Sequence, residues 1–260
     1  MKKKLDYFLN KTFKKKTIDC SNQILKHIKN KGKIKRYLST INTYSLLLID
    51  YDNKFNKALE KSYWLIPDGY GTVLACKILN IKIQQRITGA DIFADLNFRI
   101  NKHKNFKCMF FGSTKKTLNL IKKKMKIDYP NIKVAVFSPP FKKSFNKKEN
   151  QKMIKFINKQ KADILWVGLT QPKQEKWINQ NINQLNIKFI AAVGAVFDFY
   201  SNKIKRAPKI IQNLKLEWMY RLLQDPKRLW KRYLIGNLNF FFCVIPYLLL
   251  IRFKYFFNFK

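Results

Sequence analysis

Only 15 acidic residues stand among 54 lysines and arginines in this 260-residue chain, so an acid set in a well-formed turn is a candidate for chemistry. Asp68 is such an acid. It lies in Pro67-Asp68-Gly69-Tyr70-Gly71, directly after a short apolar run, and the glycines allow a tight turn and close approach of a ligand to the backbone. Aspartate before glycine is also an ordinary turn pairing. The residue therefore reads two ways: as a turn former, or as a general base that takes a proton from an attacking sugar hydroxyl.

Similar polar clusters end the other apolar runs. These are Thr40-Ile41-Asn42, Gly112-Ser113-Thr114, the stretch Gly168-Leu-Thr-Gln-Pro-Lys-Gln-Glu175, and Gly194-Ala195. The Gly112 cluster suits a phosphate at a helix N-terminus, and capping of that helix by Ser113 or Thr114 explains it equally well. Pro172 suits the first turn of a helix. Gln171, Lys173 and Gln174 would then face the same rim and offer amide and cationic donors to a sugar or diphosphate; the plainer reading is a capped helix with a solvated face. Asp50-Tyr51-Asp52 matches the D-x-D pattern of metal-dependent glycosyl transfer. It falls inside a segment read as one helix, where residues two apart point in nearly opposite directions and cannot share a metal.

Arginine is rarer than lysine and more informative. Of eight arginines, Arg206, Arg221, Arg228 and Arg232 fall within 206–232, and a guanidinium binds phosphate in a forked way that lysine cannot. The formal net charge of +39 predicts a polyanionic partner, whether nucleic acid, anionic lipid or a diphosphate substrate. Lysine is spread along the whole chain, together with abundant asparagine, isoleucine and phenylalanine. That pattern fits an A/T-rich coding bias, so most of it is read as solvated surface. Four scattered cysteines and two histidines exclude a zinc framework by spacing. The lysine-rich stretch Met1 to Lys16 has no apolar core of a signal peptide, so a reducing, cytoplasmic setting is expected.

Apolar, β-branched and aromatic runs predict strands at Tyr37–Ile41, Tyr63–Ile66, Lys107–Phe111, Lys133–Phe137, Ile164–Val167 and Phe189–Val193. Helix-period segments between them span Ser45–Leu59, Thr72–Leu79, Asp91–Asn101, Lys115–Ile127, Lys147–Lys159 and Pro172–Leu185. Such alternation predicts an α/β fold, a Rossmann-like parallel sheet flanked by helices. The candidate residues then share one rim, because open parallel sheets bind ligands beyond the carboxyl ends of their strands. The core is expected over 1–200. From Ser201 onward the pattern becomes helical, basic and aromatic, so 201–260 reads as a C-terminal appendage. Its apolar run, Phe240 to Ile251, contains Pro246 and has twelve residues, fewer than the roughly 20 a bilayer-crossing helix needs. It reads as a buried helix closing the core or as an interfacial segment on anionic lipid. The interleaved lysines, arginines and aromatics favour the second.

Together the motifs resemble the WecG/TagA/CpsF family of bacterial glycosyltransferases. The resemblance rests on Ile66-Pro-Asp-Gly-Tyr-Gly-Thr-Val73, Arg86-Ile-Thr-Gly-Ala-Asp91, Asp163 through Trp177, Val193-Gly-Ala-Val-Phe-Asp-Phe199, Lys205-Arg-Ala-Pro208 and Leu216 through Tyr233. It covers about residues 17 to 240. It implies an inverting, metal-independent transfer of an N-acetylmannosamine-type sugar from UDP to N-acetylglucosamine on a polyprenyl diphosphate, at the inner face of the cell membrane. No cofactor is expected. Asp68 and Thr40 would be catalytic. Asn42, Arg86, Gln171, Lys173 and Gln174 would bind substrate with Gly112, Gly168 and Gly194. The appendage would add Arg221 and Arg228, with Arg206 and Arg232 beside them. Expected partners are the UDP-sugar, the lipid-linked acceptor and an anionic membrane surface; a homo-oligomer is left open. The competing class is a basic nucleic-acid-binding protein, which the charge alone would allow.

Overall fold

A computed structural model describes residues 3–30 and 34–257 of the chain. The sheet grows from runs that are apolar at nearly every position, as strands buried on both faces must be. In β3 (Lys107–Gly112), Cys108 and Phe110 enter one core cluster while Met109 and Phe111 enter another, the two-residue alternation of a pleated strand. The strands are β1 (Arg36–Ile41), β2 (Trp64–Pro67), β3, β4 (Lys133–Phe137), β5 (Ile164–Gly168) and β6 (Phe189–Ala192). All pairings are parallel, in the order β2-β1-β6-β5-β3-β4. The expected α/β class and all six strands are present.

Before the sheet come α1 (Lys3–Lys11) and α2 (Thr17–Lys29), followed within it by α3 (Thr43–Tyr51), α4 (Asn53–Lys61), α5 (Tyr70–Ile78), α6 (Gly89–Ile100), α7 (Lys115–Asp128), α8 (Lys147–Lys159), α9 (Lys173–Asn181) and α10 (Val196–Tyr200). Helices α2, α6 and α7 cover one face through residues such as Ile24, Leu96 and Ile121. Helices α8 and α9 cover the other through Ile157 and Ile178. A third cluster joins α1, α3, α4 and α5 around Ile41 and Leu65, at the β1–β2 edge.

Two expectations change. The helix expected over 45–59 is two helices, because Asp52 leaves helical geometry (φ −123°, ψ 89°), ends α3 and caps α4 by accepting the Phe55 amide at 3.0 Å. The same carboxylate pairs with Lys176. Half of the D-x-D pattern is thus a cap and an ion pair, set outside the helix in which it was expected.

The second change is in the tail. After Ser201 come α11 (Lys209–Asn213) and α12 (Glu217–Gln224), then one unbroken helix from Pro226 to Phe257. The short run Phe240 to Ile251 is therefore part of a helix whose Pro226–Phe253 stretch, 28 residues, is long and apolar enough to cross a membrane by length and composition. Pro246 does not stop it. The preceding turn, Phe240–Val244, is π-helical, and a widened turn relieves the clash and missing donor that proline brings to a regular α-helix. Phe240, Val244 and Leu248, spaced by four, are buried in the third cluster, whereas Phe241, Phe242, Leu249, Leu250 and Phe253 are exposed. Only 22% of the most apolar window is covered by the protein. Asn258–Lys260, the end of the interleaved tail, and Met1–Lys2 of the lysine-rich start lie outside the described residues.

Candidate active site

The chain reverses direction across the sheet between β1, whose neighbours are β2 and β6, and the strands beyond. That is where the carboxyl ends of parallel strands leave a crevice. Asp68 follows β2 there. Its backbone amide bonds the Ile41 carbonyl at 2.8 Å, which fastens the turn to the end of β1. Gly69 holds φ +106°, a conformation costly for other residues, and Asn42 Cβ lies 3.9 Å from where a Gly69 Cβ would stand. Asn42 itself caps α3, accepting the Ser45 amide at 3.0 Å.

Gln171, at the end of the β5 loop, ties these pieces together. Its Oε1 accepts from Asn42 Nδ2, Ser45 Oγ and Arg232 Nη2, each at 3.3 Å. Its Nε2 donates to the Thr40 carbonyl at 3.3 Å and to Glu175 Oε1 at 3.4 Å. Thr40, Asn42, Gln171 and Asp68 are thus gathered at one rim, and the appendage reaches them through Arg232.

The appendage makes further contacts with the rim and its surroundings. Arg86 Nη1 pairs with Glu217 Oε2 at 3.0 Å, and the Arg86 guanidinium lies 4.7 Å from the Tyr70 ring centroid. Arg206 reaches Glu217 and Asp91, both at 3.3 Å. On the C-terminal helix, Asn237 accepts from Thr43 at 3.2 Å, and Gly236 leaves room for Tyr44.

Burial pushes the Asp68 carboxyl up to about 6; Arg86 opposes this, Glu217 adds to it, and Arg221 and Arg232 oppose it. A carboxylate whose pKa lies close to neutral is suited to accept a proton in a reaction. Glu175 is fully buried, and burial pushes it up to about 7 against hydrogen bonds from Gln174 and Gln171 and the charge of Arg232.

Other expected residues are placed differently. Lys173 leaves the rim: its Nζ lies 3.9 Å from the Phe145 ring centroid and donates to the Lys142 carbonyl. Gln174 is buried and donates to Glu175 at 3.0 Å. Pro172 precedes α9 as its cap residue. Thr114 caps α7 by accepting the Thr117 amide at 3.2 Å, the capping alternative for that cluster. Gly112 and Gly168 have packing reasons to be glycine: a Cβ would meet the Gly168 carbonyl at 2.3 Å in the first case and the Phe197 ring at 2.7 Å in the second. Gly194 turns at φ +52° beside the Gln174 side chain. Arg228 faces Asp225 at 2.6 Å and Asp198 at 3.6 Å, and its side chain is 46% exposed. Arg232, not Arg228, is the arginine brought with Arg221 into the field of Asp68.

Cavities of about 410 and 280 Å³ lie at the opposite, amino-terminal edge of the sheet, near Lys35 and Arg36 respectively. Among the described residues no group of three histidines, cysteines or acids is arranged to hold a metal.

The chain matches the glycosyl transferase WecG/TagA/CpsF family over residues 8–253. It belongs to that family. It is 34% identical over 203 residues to an N-acetylglucosaminyldiphosphoundecaprenol N-acetyl-beta-D-mannosaminyltransferase of Bacillus subtilis, covering 78% of this chain and 76% of that one. A protein of the same name from Bacillus spizizenii is 30% identical over 181 residues, 70% of this chain and 68% of the other. The protein is a glycosyltransferase, and the nucleic-acid reading of its charge has no support from these relatives.

Three residues that this glycosyltransferase places at or beneath the rim were given no site role by the sequence: Glu175, Glu217 and Ser45. Glu217 carried a signal, since it and Asp225 are the only acids in 201–260. Glu175 lies four positions after Gln171, a spacing that lets side chains meet at a helix start. Ser45 sits at the third helical position after a cap, where side chain and cap bond reciprocally.

Proposed function

We propose that the protein transfers an N-acetylmannosamine-type sugar from a UDP donor to N-acetylglucosamine on a polyprenyl diphosphate, with inversion, during assembly of a cell-surface polysaccharide. The observation that carries this reading is Asp68, raised to about 6 and set among Arg86, Arg221 and Arg232 in a member of this family. The relatives' names supply the sugar, the acceptor and a beta linkage. A nucleotide hexosamine carries its diphosphate on the α face, so a β product follows from one displacement at the opposite face.

In that step the acceptor hydroxyl gives its proton to the Asp68 carboxylate as its oxygen bonds the anomeric carbon. The bond from that carbon to the diphosphate breaks, and its electron pair leaves with UDP. Negative charge grows on the diphosphate, where preorganised cations lower the barrier. Arg86, Arg221 and Arg232, whose charges act on Asp68, would serve in this role, and a metal-independent reaction is part of the proposal. Thr40 would contact substrate from the end of β1. The lipid-linked acceptor explains the exposed apolar face of the C-terminal helix, which would rest on the cytoplasmic surface of an anionic membrane.

D68N tests the base. With UDP-N-acetylmannosamine and a lipid-diphosphate acceptor, the variant should bind UDP as the wild type does and transfer about 10²- to 10⁴-fold more slowly. Near-normal turnover would remove Asp68 from the chemistry, and a strict requirement for added divalent metal would reject the metal-independent step.

A further inference from the structure

Glu175 is a costly residue for its position. It is fully buried, its Oε2 has no hydrogen-bond partner among the described residues, and its Oε1 accepts from two side-chain amides, at 3.0 and 3.4 Å. A buried carboxyl so thinly partnered contributes little to stability, and an apolar side chain of like size is often neutral or better in such a place. The sheet needs no acid there, since its neighbours on α9, Trp177 and Ile178, pack in the apolar core. The surroundings of Glu175 instead point towards the rim.

The orientation of the Gln171 amide decides what the rim presents. Two groups that can only donate, the Asn42 amide nitrogen and the Arg232 guanidinium, converge on its Oε1, beside the Ser45 hydroxyl. Only an amide with its nitrogen turned the other way can accept them all, and that nitrogen then needs acceptors. The Thr40 carbonyl is one and Glu175 Oε1 is the other. Rotating the amide by half a turn would set its NH2 against the two obligate donors and its oxygen against a carboxylate and a carbonyl. The Gln174 Nε2 bond holds the carboxyl from its other side.

We propose that Glu175 is a positioning residue of the transfer reaction: its carboxyl orients the Gln171 amide, and through it sets Asn42 and the Arg232 guanidinium at the rim where Asp68 lies. The carboxyl touches no substrate, because its oxygens are sealed from solvent. This role rests on the functional reading given above only for its kinetic readout.

The test is a double-mutant cycle with E175L and Q171A, read as kcat/KM for sugar transfer at saturating acceptor, with thermal melts for each protein. E175L should fold with a Tm at or above that of the wild type and lose about 10- to 100-fold in kcat/KM, the worth of a hydrogen bond to a charged group. In the Q171A background the same substitution should cost less than about threefold. E175Q can present its amide oxygen to Gln171 and Gln174, and should recover activity to within about fivefold of the wild type. A crystal structure of E175L should show the Gln171 amide rotated and its contact with Arg232 lost.

Equal losses from E175L in both backgrounds would overturn the proposal, as would a Gln171 amide unmoved in E175L. If E175L does not fold, E175M carries the cycle; failure of both to fold would make Glu175 a structural residue and end the proposal. Absence of transfer by the wild type would count against the functional reading alone, and the position of Gln171 in the E175L structure would then decide this role by itself.

Discussion

At the rim of the sheet, side chains are held by backbone geometry; in the appendage laid across it, they are held by ions and one apolar stripe. Asn42, Asp68 and Gln171 are fixed by a helix cap, a 2.8 Å backbone bond to Ile41 and five side-chain bonds. Helix α12 has no buried residue of its own, and it reaches the core through the Glu217 pair with Arg86, and by way of Arg206, which pairs with both Glu217 and Asp91. The C-terminal helix adds Phe240, Val244 and Leu248. Short-range bonds give a rim that is set before substrate arrives. Ion pairs respond to salt, charge and a competing phosphate, so the appendage is the part able to respond to a charged ligand.

The comparison can be broken most severely at the tail. Replacing Phe241, Phe242 and Phe253 with serine should leave Tm almost unchanged, because all three are exposed. Binding to anionic vesicles should fall by about 10³-fold, since each buried phenylalanine contributes about 1.5–3 kcal/mol. A large fall in Tm would instead place that face inside the protein or an oligomer. R232A should lower kcat/KM by about 10²-fold, as loss of a charge-assisted contact does. Because Arg232 lowers the Asp68 pKa, the acid limb of the pH–rate profile, expected near pH 6, should also move upward.

A smaller effect separates the two acids. Glu175 is raised in the fold to about 7, so its contribution to stability is complete below its unfolded value and is lost as pH rises through 7. Between pH 5 and pH 8 the stability of the wild type relative to E175Q should fall by on the order of 2 kcal/mol, measured by urea unfolding. The smallest effect belongs to E217Q. Removing that charge weakens the links to Arg86 and Arg206 and should cost about 1 kcal/mol of stability. It also removes a group that raises Asp68, so the acid limb should shift below pH 6. An upward shift would show that freeing Arg86 matters less than losing the appendage contact.

The sheet was legible in the sequence because its strands are nearly continuous apolar runs separated by helices, as the stretch Lys107–Phe111 shows. The first two helices were not. In α2 the buried residues Cys20, Ile24 and Ile28 recur every four positions, but lysines and polar residues between them mask the stripe. The break at Asp52 was missed for a related reason: a cap forms when its side chain meets the Phe55 amide, and apolar periodicity does not register it. At the site, the strand ends located Asp68, Thr40, Asn42 and Gln171 on one rim. Which arginine would join them could not be read from composition, since Arg228 and Arg232 are one helical turn apart on one helix, and the partners met at each level decide it: Asp198 and Asp225 for Arg228, Gln171 for Arg232.

Residue order by itself determined the parallel α/β sheet, the edge of it that carries polar turns, and the membership of a glycosyltransferase family through strings such as Ile66 to Val73. The sheet and its polar edge follow from local periodicity and turn-forming residues, and the family from the resemblance carried by those strings. Tertiary structure decided the rest. It turned Lys173 toward Phe145, brought Glu217 to Arg86 across 131 positions, and buried Glu175 beneath Gln171. Each of those contacts depends on the direction of a side chain in a packed interior, and direction is set by neighbours distant in sequence.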